Sequence, residues 1–232
     1  MGLNFLWGQI RLPRFISDGV VFQREAPLKI WGWAAPQEAI TLQFKGATYT
    51  TQADNQGNWN VVIAPQAAGG PYEMLLQASN QRKLKDIMIG DLWICSGQSN
   101  MELPMDRVKE KYPEIVRTAN NPMIRQFIVP DLYDFNQVHN DFEQGDWVAV
   151  SPESISQFSA VAYFFAQQLQ EKYQVPIGIV NVALGGSPVE AWMSEAALKA
   201  FPDAWGLEHQ GKLPKLCLLD RYHTNRKDRY FV

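Results

Sequence analysis

In the segment GDLWICSGQSNMELPM, Gly90 to Met105, Ser99 stands between Gln98 and Asn100, two residues after Gly97 and close behind an apolar run. A hydroxyl in that place has two uses. With Glu102 it has the S-x-x-E spacing of a capping box, in which the serine and the glutamate satisfy the first N–H groups of a helix. Pro104 limits any such helix to one turn, because as its fifth residue it lacks the N–H owed to the Asn100 carbonyl and its ring crowds that carbonyl. The second use is nucleophilic. The carboxyl end of a buried strand, on a tight turn, is where open α/β sheets form their ligand crevice. A serine there exposes its hydroxyl and can aim its own N–H at a substrate oxygen, as acyl transfer requires.

A second turn with chemical potential is NVALGGSPVEAW, residues 181–192. Ser187 is spaced to cap a helix whose first residue is Pro188 and whose third is Glu190, which puts proline in its favoured slot. Gly185 and Gly186 come just before. Bare backbone there serves either to bring N–H groups close to a bound oxygen or only to ease a tight strand-to-helix turn.

The chain has three histidines as candidate bases, His139, His209 and His223. His139 lies in polar NQVHNDF and reads as a solvated loop residue, and His209 in LEHQGK as a helix exit. Asp220 and His223 spell Asp-x-x-His beside Lys215, Arg221, Arg226, Lys227 and Arg229, which read as a basic tail. Cys95 and Cys217 are read as buried free thiols, and their spacing makes no metal site.

Two grammars must position these groups. Residues 15–89 alternate as half-buried strands do: Ile40, Leu42 and Phe44 share a face, as do Trp59, Val61 and Ile63, and Met74, Leu76 and Ala78. Turn signals separate them, and short strands of this kind pack as two sheets. From about residue 90, DIMIGDLWICS, NPMIRQFIV and PIGIVNVAL are apolar without strict alternation, as parallel strands covered on both faces are. In SQFSAVAYFFAQQLQEKY, Phe158, Val161, Phe165 and Leu169 form a stripe at helical spacing that Pro176 terminates. The expected division is a β-sandwich over 1–88 and an α/β domain over 89–232.

With 21 Lys and Arg against 24 Asp and Glu, the net charge of −3 offers no field for nucleic acid or acidic lipid. No apolar run approaches the roughly 20 residues of a bilayer span, so no membrane partner is expected. Eight Trp, eight Tyr and twelve Phe suit flat-faced ligands such as sugars, or simply a large core. Trp31, Trp33 and Trp59 are the candidate stacking platforms.

The Ser99 block resembles the nucleophile block of sialate O-acetylesterases, in the SGNH hydrolase superfamily. FISDGVVFQREAPLKIWGWA is similar to that family's amino-terminal β-sandwich segment, FSAVAYFFAQQL to its first long helix, and VPIGIVNVALGGSPVEAWMS to its second conserved block. The resemblance implies an all-β sandwich followed by an incomplete three-layer, flavodoxin-like SGNH domain. It implies a serine hydrolase that releases acetate from an O-acetylated sugar through acetyl-Ser99, with no metal or organic cofactor. Ser99 and Gly186 become oxyanion donors, with Gly185 the alternative for the second. The family's Gly-Glu-Ser-Asn block is not found, and Asp220–His223 is read as a decoy, so the catalytic His and Asp are taken to be absent from this chain. The chain then reads as an amino-terminal fragment of a secreted or periplasmic protein, itself inactive. The rival reading is a carbohydrate-binding β-sandwich attached to an inactive esterase remnant.

Overall fold

Two-residue alternation governs the first half of the computed structural model, which describes residues 9–132 and 139–200. After the short strand β1 (Val21–Gln23), β2 (Leu28–Trp33) turns Leu28, Ile30 and Gly32 inward and leaves Lys29 in water. β3 (Ala39–Phe44) buries Ile40, Leu42 and Phe44. Lys45 and Gly46, both at positive φ, carry the chain into the exposed edge strand β4 (Ala47–Gln52), the backbone that a two-residue hairpin turn demands. β5 (Asn58–Ile63) pairs antiparallel with β2 and points Trp59, Val61 and Ile63 inward. In β6 (Gly69–Gln77) the inward pair is Met74 and Leu76. The β2–β5 ribbon and the β4–β3–β6 strands share one buried cluster.

The 17-residue strand β7 (Gln81–Gly97) joins this cluster to the serine turn. Its first half pairs antiparallel with β6, Met88–Gly90 runs parallel to β1, and Asp91–Gly97 runs parallel to β10 (Ile177–Ala183). The division expected between residues 88 and 89 therefore falls inside one strand. Gly90 is needed at the crossing, because a Cβ there would lie 1.9 Å from the Pro176 carbonyl oxygen. Beyond β10, β8 (Asn121–Ile128) is parallel to it, and β9 (Trp147–Val150), absent from the sequence reading, adds antiparallel at the edge. The eight-stranded sheet thus has the order β4-β3-β6-β7-β10-β8-β9, with β1 beside β7.

One face of the parallel strands continues the β-layer core through Phe127, Val180 and Val182. The other packs on helix α3 (Ala160–Tyr173), where Ile124, Ile177 and Ile179 meet Ala162, Tyr163 and Ala166. Here the expected stripe is corrected. Phe158 is buried, but Val161 is 50% and Phe165 39% exposed, and the helix instead buries Ala160, Ala162, Tyr163, Ala166 and Gln170. Phe165 meets the ring of Trp93 edge-on, 5.1 Å between centroids, and Leu169 packs partly buried against the same cluster. Ser159 caps the helix by accepting the Ala162 N–H at 3.2 Å, and Gln174 ends it in left-handed geometry ahead of Pro176. Cys95 is a buried free thiol, pushed up to about 11 by burial.

Arg125 of β8, 2% exposed, clamps the two halves together. Its guanidinium donates to the Gly19 carbonyl at 2.8 Å, the Asp86 carbonyl at 2.5 Å, the Pro122 carbonyl at 3.0 Å and the Asp86 carboxylate at 2.8 Å. Among the described residues no helix is long and apolar enough to cross a membrane.

Candidate active site

The parallel strands β7 and β10 end side by side, so the serine turn and the glycine turn lie on the same edge of the sheet. β7 terminates at Gly97, whose φ of +151° suits glycine. Ser99 then opens helix α1 (Ser99–Glu102), a single turn whose C-cap is Leu103, directly before Pro104. Both the hydroxyl-bearing residue and its neighbour Asn100 are exposed. Among the described residues Ser99 Oγ makes no hydrogen bond, and the Ser99 N–H meets no acceptor.

Capping does not explain the serine. The N-cap residue is Gln98, which makes no side-chain cap bond. Its amide instead donates to the Ser187 carbonyl, reaching across to the second turn. Glu102 does not close a capping box either: its carboxylate accepts the Gly185 N–H at 2.5 Å, 83 residues away in sequence. The ladder continues one step past β10, with the Leu184 N–H donating to the Gly97 carbonyl at 3.0 Å.

Gly185 lies directly against the serine. A Cβ built on it would stand 3.4 Å from Ser99 Cβ and 2.6 Å from Glu102 Oε2. Gly186, at φ +79°, has nothing within 4 Å of such a Cβ, and its N–H has no acceptor among the described residues. The expected Ser187 capping box is corrected. A 3-10 turn, Val189–Trp192, follows, and Ser187 Oγ donates to the Leu184 carbonyl at 2.7 Å while accepting the Trp192 indole N–H at 2.9 Å. Ser187 therefore braces its own turn.

Asp131, three residues past β8 on the same sheet edge, went unnoticed in the sequence. Partial withdrawal from water raises its carboxyl above the usual range, and the negative charge of Glu102 adds to the effect. Its position just after an apolar strand was the available signal. Among the described residues no group of three or more His, Cys, Asp or Glu side chains could hold a metal ion. His139 is half-buried in the loop between β8 and β9 rather than fully solvated. His209, Cys217, Asp220 and His223 lie outside the described residues. Of the aromatic candidates, Trp59 is buried in the β layers. Trp31 and Trp33 stay half-buried, their rings 5.3 Å apart, with the Arg11 guanidinium 4.0 Å over Trp33.

An exposed hydroxyl with free backbone N–H groups beside it is equipped for attack on a carbonyl and for holding the resulting oxyanion. Comparison with known proteins points the same way. Residues 89–204 match the sequence profile described as carbohydrate esterase, sialic acid-specific acetylesterase. Sialate O-acetylesterase from Homo sapiens is 29% identical over 223 residues, covering 88% of this chain and 42% of that protein. The Rattus norvegicus sialate O-acetylesterase is also 29% identical, over 82% of this chain and 38% of its own length. Among solved structures, a carbohydrate acetylesterase from Xanthomonas citri superposes with a TM-score of 0.80 at 39% identity, over 89% of this chain and 46% of that one. The chain thus spans less than half the length of these relatives.

Proposed function

Since the chain belongs to the carbohydrate esterase family of sialic acid-specific acetylesterases, we propose that it carries the nucleophile of an enzyme that removes acetyl groups from O-acetylated sugars, sialic acids foremost. The observation that carries this reading is the exposed, unbonded Ser99 at the end of β7, with Gly185 packed against it. Ser99 Oγ attacks the acetyl carbonyl carbon, and the electron pair of the carbonyl moves to its oxygen. The N–H groups of Ser99 and the glycine turn hold that oxyanion. Its collapse expels the sugar oxygen, which leaves as a hydroxyl by taking the proton that Ser99 gave up, and water then cleaves acetyl-Ser99 to acetate and free Ser99. The base that relays these protons comes from outside the described residues. In this reading the β2–β5 ribbon and the strands it faces form an all-β sandwich (1–88), and residues 89–232 an incomplete three-layer SGNH-type domain. The whole protein works in a secreted or periplasmic setting.

The test is Ser99→Ala in the full-length protein, assayed for acetate release from an O-acetylated sialic acid. Activity should fall to background, because the remaining donors stabilise an oxyanion but form no acyl-enzyme. Retention of most of the turnover would overturn the assignment.

A further inference from the structure

We infer that Glu102 is a positioning residue of the serine site: its carboxylate holds the Gly185 N–H and so leaves Gly186 as the free donor of the glycine turn. The inference rests on Ser99 being the nucleophile. Three contacts pin the turn. The Leu184 N–H is held by the Gly97 carbonyl at 3.0 Å, the Gly185 N–H by Glu102 at 2.5 Å, and the Ser187 carbonyl by the Gln98 amide. Between these pins Gly186 alone keeps an unengaged N–H, and its φ of +79° sets the direction of that peptide. All three contacts come from the serine turn itself, Gly97 to Glu102. The segment that bears the nucleophile therefore also sets the place of the second donor.

Satisfying an exposed amide does not explain the Glu102 contact. Gly185 and Glu102 are both exposed, and water would serve the Gly185 N–H nearly as well, so the bond adds little to folding. What water cannot do is fix the peptide plane. Oxyanion stabilisation depends on donors standing 2.7–3.1 Å from the charge that develops, and a small displacement is costly in rate. The absence of a side chain at Gly185 fits this role, since a Cβ would come within 2.6 Å of Glu102 Oε2 and push the carboxylate away.

The charge on Glu102 works against its usefulness, because a carboxylate beside a developing oxyanion raises the energy of that charge. Its value lies in accepting a hydrogen bond, and an amide oxygen accepts equally well. Glu102→Gln should therefore keep the geometry without the repulsion, whereas Glu102→Ala removes the acceptor. In the full chain, amide hydrogen exchange should be slower at Gly185 than at Gly186. That protection should persist in Glu102→Gln and vanish in Glu102→Ala, with melting temperatures little changed. In acetate release, Glu102→Ala should lower kcat by about tenfold or more with KM nearly unchanged, a fraction of what losing a donor outright costs. Glu102→Gln should match or exceed the parent kcat.

An unchanged exchange pattern and kcat in Glu102→Ala would overturn the inference. So would a loss confined to KM, or a Glu102→Gln as impaired as Glu102→Ala. If the full-length parent, which also supplies the base, releases no acetate, the reading of Ser99 fails, and the amide exchange alone decides the Glu102 contact.

Discussion

Replacing Arg125 with Met should cost the fold about 3–5 kcal/mol, set mainly by the backbone carbonyls its guanidinium leaves without a donor. The guanidinium serves three carbonyls, those of Gly19, Asp86 and Pro122, besides the Asp86 carboxylate. A hydrogen bond from a charged donor is worth about 1.5–3 kcal/mol, and a buried carbonyl left without one loses most of that. The carboxylate contributes less. Asp86 is 55% exposed at its side chain, so water rehydrates it once Arg125 is gone, which caps that pair at about 1 kcal/mol. Methionine replaces much of the aliphatic volume, so the cavity contribution stays small. Partial hydration of the freed carbonyls offsets part of the remaining loss. Against a typical total stability of about 5–15 kcal/mol, the variant should fold but unfold at much lower denaturant. Urea unfolding at neutral pH reads the difference through the midpoint at constant slope. Asp86→Asn is the control: Asp86 sits at φ +57°, which asparagine tolerates, and it can still accept from Arg125, so its loss should not exceed about 1 kcal/mol. A methionine variant within about 1 kcal/mol of the parent, or an asparagine variant as damaged as the methionine one, would refute this account.

Alanine at the two glycines should act differently. At Gly186 the new Cβ meets open space, so only the strain of φ +79°, about 1–2 kcal/mol, is added and the N–H survives. At Gly185 the Cβ displaces Glu102, so kcat for acetate release should fall as far as in Glu102→Ala, with Gly186→Ala affected less. Equal losses would mean that the turn is not pinned. Glu38 supplies a pH prediction. Burial works to raise its carboxyl, but the hydroxyl and N–H of Ser79 and the N–H of Ala35 outweigh it and hold the group below the usual carboxylate range. A depressed folded value gives stability above the unfolded value of about 4.3 that is lost as pH falls through the folded one. Urea midpoints taken from neutral to acid pH should therefore drop more steeply in the parent than in Glu38→Gln. Identical profiles would show that Glu38 contributes nothing.

Alternation made the β layers legible, because in a strand the face of each residue follows from its neighbour two positions away. Ile40, Leu42, Phe44, Trp59, Val61 and Ile63 are all buried. The helix was harder. Of its expected stripe, Phe158 is buried and Leu169 packs partly buried on the core, whereas Val161 and Phe165 are exposed and the face between Ala162, Tyr163 and Ala166 meets the sheet, a choice that residue size at helical spacing does not report. The one-turn limit on α1 follows from Pro104 and holds in the structure. The role of Glu102 was illegible for a different reason. S-x-x-E describes a local bond, and the partner actually taken, Gly185, becomes a neighbour only once β7 and β10 pair. Arg125 was missed likewise, as nothing in NPMIRQFIV marks the arginine as buried until the Gly19 and Asp86 carbonyls converge on it.

Because β7 is continuous, the β layers and Ser99 are joined by a rod rather than a tether. Seventeen residues at about 3.3 Å each make a path of roughly 55 Å. Hydrogen bonds on β6, β1 and β10 stiffen it along its length. Any shift of the β layers relative to Ser99 must therefore bend β7 itself or break its pairing with β10, so the position of the serine is a property of the whole sheet rather than of a hinge.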